Sequence, residues 1–412
     1  FLFLCIKNWA SGLTARVFFL LPLLYLAFTQ EVDFVHYSSE QVPLLLVAIC
    51  LWLLSEISTS VNISNKHAFL LGFVAGLVPF AKLQFVPPAL VIGVSAAWFL
   101  WVHYKKEGAI KPFLFLLFGA VLFPVIVTVW TISFQVFNDF VDFYLLGNVI
   151  YANGNNKSQI DQLFTIVNLS PDFKAYLAVI FLAIVVSFGS FFDTKRMGLA
   201  VKLTIALVLL ASAYAVTKSG NDFVHYLNLL LFPTLLLATI GSVNAKSWVI
   251  VLPVLLLGWF VANDIIGYKE RHQLNQFDSV GARKLGESPV VAELKKYSVP
   301  KDYLVVWGWQ CTYYVEAQLA QGTAENHSER SIFNHEMREE YRQRYIEDIH
   351  RTKPAIILDA VGKNSSWVQD IATQSISCFP ALSEYVESNY VDLGYFDGTR
   401  LYVRNDRVNL LQ

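Results

Sequence analysis

Charge is what this chain has least of. Asp, Glu, Lys and Arg make up 15% of its 412 residues, against 55% hydrophobic. A soluble globular domain carries about a quarter charged residues, so the shortage excludes an ordinary water-soluble fold for the whole chain. The balance is also nearly neutral, 31 basic against 32 acidic residues, and no basic patch suits nucleic acid. Cysteine is scarce, four in all, with no CxxC or Cys/His cluster of the zinc type. GxGxxG, P-loop and GxSxG patterns are missing, which argues against a Rossmann cofactor role. An initiator Met and a signal peptide are missing too. The chain opens inside an apolar stretch, Phe1–Ile6, and reads as a sequence without its true N-terminus.

The charge that is present is uneven: 38 of the 63 charged residues follow Asn263. Residues 1–263 therefore read as lipid-embedded, 264–287 as a polar linker and 288–412 as a soluble domain. Charge-poor apolar runs mark the spans: Val17–Gln30, Gln41–Ser55, His67–Ala81, Leu83–Tyr104, Pro112–Asn138, Ala175–Phe192, Leu203–Thr217, Phe223–Ala245 and Ser247–Asn263. A crossing takes roughly 20 residues, with a lower limit near 17. Shorter runs need snorkelling flanks, a kink or partial embedding. The expectation is an α-helical polytopic bundle of about nine transmembrane helices plus the Phe1–Ile6 remnant. Strict alternation puts Lys7, Arg16, Lys105, Lys106, Lys111, Lys195, Arg196 and Lys246 on one side, which the positive-inside rule makes cytoplasmic. The loops 31–40, 139–174 and 218–222 and the soluble domain then face outward.

The soluble part alternates helices and strands. Helices are expected at Val290–Tyr297, Thr312–Ala320, His335–His350 and Pro380–Ser388, and strands at Tyr303–Trp307 and Pro354–Leu358. A hairpin of Tyr390–Phe396 and Arg400–Arg404 turns at Asp397-Gly398. This is the pattern of a small α/β layer domain. Cys311 and Cys378 pair if the domain lies in an oxidising space; two unpaired buried thiols are the alternative. Trp307-Gly308-Trp309 and Arg330 face a membrane site or, more simply, pack the core.

Polar groups near a bilayer surface usually face protein, water or substrate. The stretch Ser219–Pro233 feeds His225, Tyr226 and Asn228 into the top of a span. His225 and Tyr226 can donate hydrogen bonds to a phosphate or sugar; interfacial anchoring is the plainer reading of the tyrosine. Glu40, at the mouth of the span Gln41–Ser55, is a candidate proton acceptor, with a helix-capping carboxylate as the alternative. Glu31, Asp33, His36 and Tyr37 precede it and line the same cavity or a solvated loop. Lys82 and Gln84 lie between two spans, where Lys82 meets an anion such as a lipid phosphate or snorkels to the interface. Tyr144–Tyr151 reads as an interfacial helix or lid, broken by Asn153-Gly154-Asn155-Asn156. No metal ligands or cofactor are identified, and metal dependence stays open.

In order along the chain, four features resemble the GT-C class of membrane glycosyltransferases, in particular the family 39-like group of protein mannosyltransferases and lipid A aminoarabinose transferases. They are Ser39-Glu40 before a span, Gly72 to Leu77 followed by Lys82-x-Gln84, Gly220 to Pro233, and Val305-Val306-Trp307-Gly308 with Tyr313-Tyr314. The resemblance implies inverting transfer of a sugar from a polyprenyl-phosphate donor to a lipid, glycan or protein acceptor. The reaction would run at the outer face of the bacterial cytoplasmic membrane, with the C-terminal domain extracytoplasmic. It implies a principal catalytic Asp upstream of Phe1, Glu40 as a second acidic position, Lys82 near the lipid phosphate, and His225-Tyr226 closing the donor site. A transporter or flippase of lipid-linked sugars, and a glycan polymerase or ligase, are the alternatives. The missing internal repeat and the large C-terminal domain speak against them.

Overall fold

A computed structural model describes residues 1–36, 38–108, 110–151, 158–193, 197–243, 245–272 and 286–408. The chain divides into two compact units, Phe1–Asp278 and Ser279–Gln412.

The first unit is helical. Its main helices are α1 (Leu2–Trp9), α2 (Gly12–Phe28), α3 (Gln41–Thr59), α4 (Asn65–Ala81), α5 (Val86–Glu107), α6 (Lys111–Ser133), α7 (Gln159–Leu169), α8 (Pro171–Val186), α9 (Leu199–Lys218), α10 (Asn228–Gly241) and α11 (Val251–Arg271). Among the described residues, six helical segments are long and apolar enough to cross a membrane: Gln41–Thr59, Leu83–Glu107, Lys111–Ser133, Leu199–Lys218, Val224–Gly241 and Ser247–Arg271. The pair α7 and α8, bent by 108°, makes a seventh if it counts as one span. The expected nine is therefore corrected. Helices α2 and α4 have 17 residues each, at the lower limit of about 17 for a crossing, and fall outside the six. The run Ala175–Phe192 belongs to the bent pair. Residues 264–271, expected in a linker, continue α11. Residues 273–285 of that stretch, like Lys195, Arg196 and the Asn153–Asn156 break, lie outside the described residues. Tyr144–Tyr151 is helical, a π-helical turn Phe140–Leu146 running into Gly147–Tyr151.

Successive helices run between two ends of this unit. At one end Thr29 bonds Asp172 (2.8 Å), Gln84 bonds the Ala215 carbonyl (2.9 Å) and the Val224 amide bonds Asp33 (3.1 Å). At the other end Asn8 bonds Ser55 (2.9 Å) and Thr14 bonds the Ser242 carbonyl (2.7 Å). Lys105 and Lys106 close α5 at that second end. Helices α4 and α6 meet through glycine. A Cβ on Gly76 would lie 2.6 Å from the Ala120 carbonyl oxygen, and Gly72 and Gly119 face the backbones of Leu116 and Phe69 more tightly still. Small residues permit this approach between apolar helices, where dispersion and not hydrophobic exclusion provides the attraction.

The second unit is a five-stranded sheet. Its elements are α12 (Pro289–Leu294), β1 (Tyr303–Trp307), α13 (Thr312–Ala317), β2 (Ala320–Gln321), α14 (Arg338–Thr352), β3 (Ile356–Asp359), α15 (Pro380–Asn389), β4 (Tyr390–Phe396) and β5 (Thr399–Arg404). The strand order is β2-β1-β3-β5-β4. Strand β1 runs parallel to β2 and β3, and β5 antiparallel to β3 and β4. The period-2 pleat sorts β1: Leu304 and Val306 join one apolar cluster, Val305 and Trp307 the other. Asp397 and Gly398 both have positive φ, 46° and 82°, as a two-residue primed hairpin turn demands. The helix expected to reach Ala320 stops at Ala317. Gln318 turns left-handed there, and Ala320 pairs with Tyr303 as strand. Cys311 and Cys378 are free and half-buried, each bonding a carbonyl of its own surroundings, Asn326 and Ala372.

Candidate functional site

Three breaks between helices meet at the first end of the helical unit. The turn before α3 brings Ser39 and Glu40. The extended residue after α4 is Lys82. The short 3₁₀ turn Val224–Leu227 carries His225 and Tyr226 into α10. The Glu40 carboxylate is fully buried and makes no cap to its own helix. It pairs instead with the Lys82 ammonium. Lys82 also donates to Ser39 Oγ (2.9 Å) and stands 5.2 Å from the centre of the Tyr226 ring. Glu40 thus stands at the N-cap of α3 but spends its carboxylate on Lys82 and not on a cap bond. Tyr226 is 5% exposed, too buried for an interfacial anchor.

His225 bridges two carboxylates. Its Nε2 lies 3.6 Å from Glu40 Oε1 and its Nδ1 3.6 Å from Asp33 Oδ2. Phe223 stacks on the imidazole at 5.3 Å. His36 meets it edge-on at 6.0 Å. Asp33, His36 and His225 each offer a ligand atom within 4.8 Å of the others, so among the described residues these three could share a divalent cation. Sequence reasoning named all three but not as a set. Tyr37 lies outside the described residues.

Two cavities open beside the cluster. One, about 370 Å³, is lined by Lys82, Gln84, Asn148, Lys218, Ser219 and Tyr226. Gln84 is thus near Lys82 yet spends its amide on the Ala215 carbonyl. The other, about 960 Å³, is lined by Thr29, Gln30, Gln41, Asn228 and Asp264 among apolar side chains. Asn228 is 5% exposed, and its Oδ1 has no hydrogen-bond partner.

No protein-family model, curated protein or solved structure matches this chain.

A second polar knot went unnoticed in the sequence. Asp172 accepts from Thr29 Oγ1 and Trp259 Nε1 (2.8 and 2.9 Å), and its own amide donates to Glu31 (2.9 Å). Burial pushes the Glu31 carboxyl above its ordinary range. Gln30 bonds Asp264. Asp264 was assigned to the linker because it follows the last apolar run; in the structure it is a helical residue facing the large cavity. The signal available was that these polar residues flank apolar runs that end on the same side.

Proposed function

We propose that the chain is a membrane glycosyltransferase of GT-C type, moving a sugar from a polyprenyl-phosphate donor to an acceptor hydroxyl or amine. The observation that carries this reading is the cluster of buried Glu40 with half-buried Lys82 and His225, assembled from three distant breaks between helices and flanked by two cavities. An ion pair withdrawn from water costs several kcal/mol per ion before its attraction repays it. Its placement beside cavities rather than in the packed core favours a role with a ligand.

In the proposed reaction the acceptor oxygen or nitrogen attacks the anomeric carbon in line while the bond to the phosphate oxygen breaks, with inversion. The acceptor proton goes to a carboxylate, for which this chain supplies Glu40 and Asp33. The leaving phosphate takes its charge stabilisation from Lys82, which must exchange Glu40 for the phosphate and so frees the carboxylate when donor is bound. The lysine-bearing end of α5 faces the cytoplasm by the positive-inside rule, and the cluster then opens toward the cell exterior.

The test uses the purified full-length protein in liposomes holding radiolabelled polyprenyl-phosphate glucose, mannose or aminoarabinose, with a membrane extract as acceptor. A new labelled glycosidic product is expected, reduced about 100-fold or more by Lys82→Ala, the scale on which loss of one transition-state partner acts. The break between α7 and α8 favours a second reading, transport of a lipid-linked sugar, because broken helices serve transporters. Label that crosses the vesicle without any new glycosidic bond replaces the first reading with that one.

A further inference from the structure

The α/β unit carries an aromatic corner at the carboxyl ends of its parallel strands. After β1 the chain turns through Gly308 to Trp309; after β3 it runs through Gly362 to Trp367. Trp309 and Trp367 meet at 5.1 Å with their planes 74° apart, and His327 lies flat on Trp309 at 4.2 Å and 12°. Burial and the Arg330 guanidinium hold His327 down to about 4, so the stacked imidazole is neutral.

The two loops are tied together. The Trp309 backbone amide donates to Ser365 Oγ (2.8 Å), the Ser366 backbone amide to the Trp309 carbonyl (3.0 Å) and the Gln310 side-chain Nε2 to the Asn364 carbonyl (2.7 Å). Within this brace Trp367 is held at φ +59° with its side chain 55% exposed. A bulky residue in the left-handed region is a genuine outlier, and such strain persists where the surroundings impose it. An exposed large aromatic is also costly to leave in water. Both costs fall on one ring, at the crevice outside the carboxyl ends of the strands, where open parallel sheets bind ligands.

We propose that Trp367 and Trp309 form a binding platform for a pyranose ring. The apolar C–H face of a sugar sits on the electron-rich indole face, and the perpendicular second indole bounds it. The hydroxyl edge needs hydrogen-bonding partners; the two tied loops carry Gln310, Asn364 and Lys363, the last in an exposed pair with Asp397 (2.7 Å) that a sugar hydroxyl can join. The platform is independent of the Glu40 site, and its failure leaves the transferase reading untouched.

The experiment is saturation-transfer NMR on the full chain in detergent, with maltotriose, cellotriose and chitotriose as probes. Saturation should reach the ring protons of at least one trisaccharide. Trp367→Gly, which removes the ring and suits the left-handed backbone, should weaken that binding about tenfold, the scale of one lost stacking partner. Trp367→Phe should retain part of it. The proposal is overturned if none of the probes is saturated, or if Trp367→Gly leaves the signal unchanged. It is equally overturned if brominated lipid in vesicles quenches the wild-type chain, Trp367→Gly abolishes that quenching and the sugar signal stays intact, because the ring is then a membrane anchor.

Discussion

The two units treat charge in opposite ways. The helical unit takes Glu40 wholly out of water and sets Lys82 against it. The α/β unit keeps pairs such as Arg400–Asp392 at its surface, each side chain about one-third exposed, 33% and 37%. A surface pair contributes about 0–1 kcal/mol, so its presence says little. A pair with a buried carboxylate is retained against its desolvation cost, and so points to a role other than stability. The units also pack differently. The α/β unit interdigitates side chains from both faces of a sheet, whereas α4 and α6 touch backbone to backbone.

The sharpest test of that contrast is Gly72→Val. A Cβ at this position would collide with backbone atoms of Leu116 and Ala120, with no flexible side chain to move aside. The cost should exceed the ~1–3 kcal/mol of ordinary overpacking and abolish the monodisperse folded peak in detergent chromatography. Gly93, with open space around its Cβ position, is the control and should tolerate Val. Equal behaviour of the two variants would remove backbone approach as the organising contact.

Next in size is Lys82→Ala. It leaves Glu40 buried beside His225 without its cation, and losing one partner of a buried pair costs about 3–5 kcal/mol. Thermal melting in detergent should fall steeply. The double variant Lys82→Met with Glu40→Leu should recover most of the loss while remaining inactive. A double variant as unstable as the single one would mean that the pair holds the fold together.

Much of this was legible in the sequence, for identifiable reasons. The unbroken apolar run YLVVW and the Asp-Gly turn point to β1 and the β4–β5 hairpin, because a short apolar run suits a buried strand and positive φ leaves few residue choices. The polar residues at span boundaries identify Glu40, Lys82, His225 and Asp33. The number of crossings was not legible. Hydropathy sees apolar runs, and nothing in the runs His67–Ala81 or Ala175–Phe192 announces a 17-residue helix or a 108° bend. Nor was the partner of each polar residue visible. Asp172 and Thr29 are 143 positions apart, and only the fold pairs them.

The α/β unit also buries acids, which sharpens the comparison. Burial pushes the Asp359 carboxyl up to about 6 and Glu325 up to about 7, where such groups ordinarily titrate near 4. With its folded pKa raised, each acid holds its proton more tightly folded than unfolded. Its contribution is fully present below pH ~4 and is lost as pH rises through about 6 for Asp359 and about 7 for Glu325. Each should contribute on the order of 2–3 kcal/mol. Hydrogen-exchange protection of β1 and β3, corrected for intrinsic pH dependence, should therefore decline from pH 4 to pH 7. Glu325→Gln should flatten the upper part of that decline and Asp359→Asn the lower. A flat wild-type profile would show that the two carboxyls titrate normally.

The smallest effect closes the contrast. Arg400 donates to Asp392 Oδ2 through Nε (3.0 Å) and Nη2 (2.6 Å), and its guanidinium lies 5.3 Å from the Tyr402 ring centre. Arg400→Met removes the charge but keeps an apolar stem over the ring. The pair is solvated on both sides, so the expected cost is below about 1 kcal/mol, and molar salt should erase it by screening. The Lys82→Ala cost should barely respond to salt, because ions do not reach a carboxylate without exposed surface. If Arg400→Met costs as much as Lys82→Ala, or if both losses fade equally in salt, burial is not what separates the two units, and the case for a ligand-bound role of the Glu40 cluster loses its physical basis.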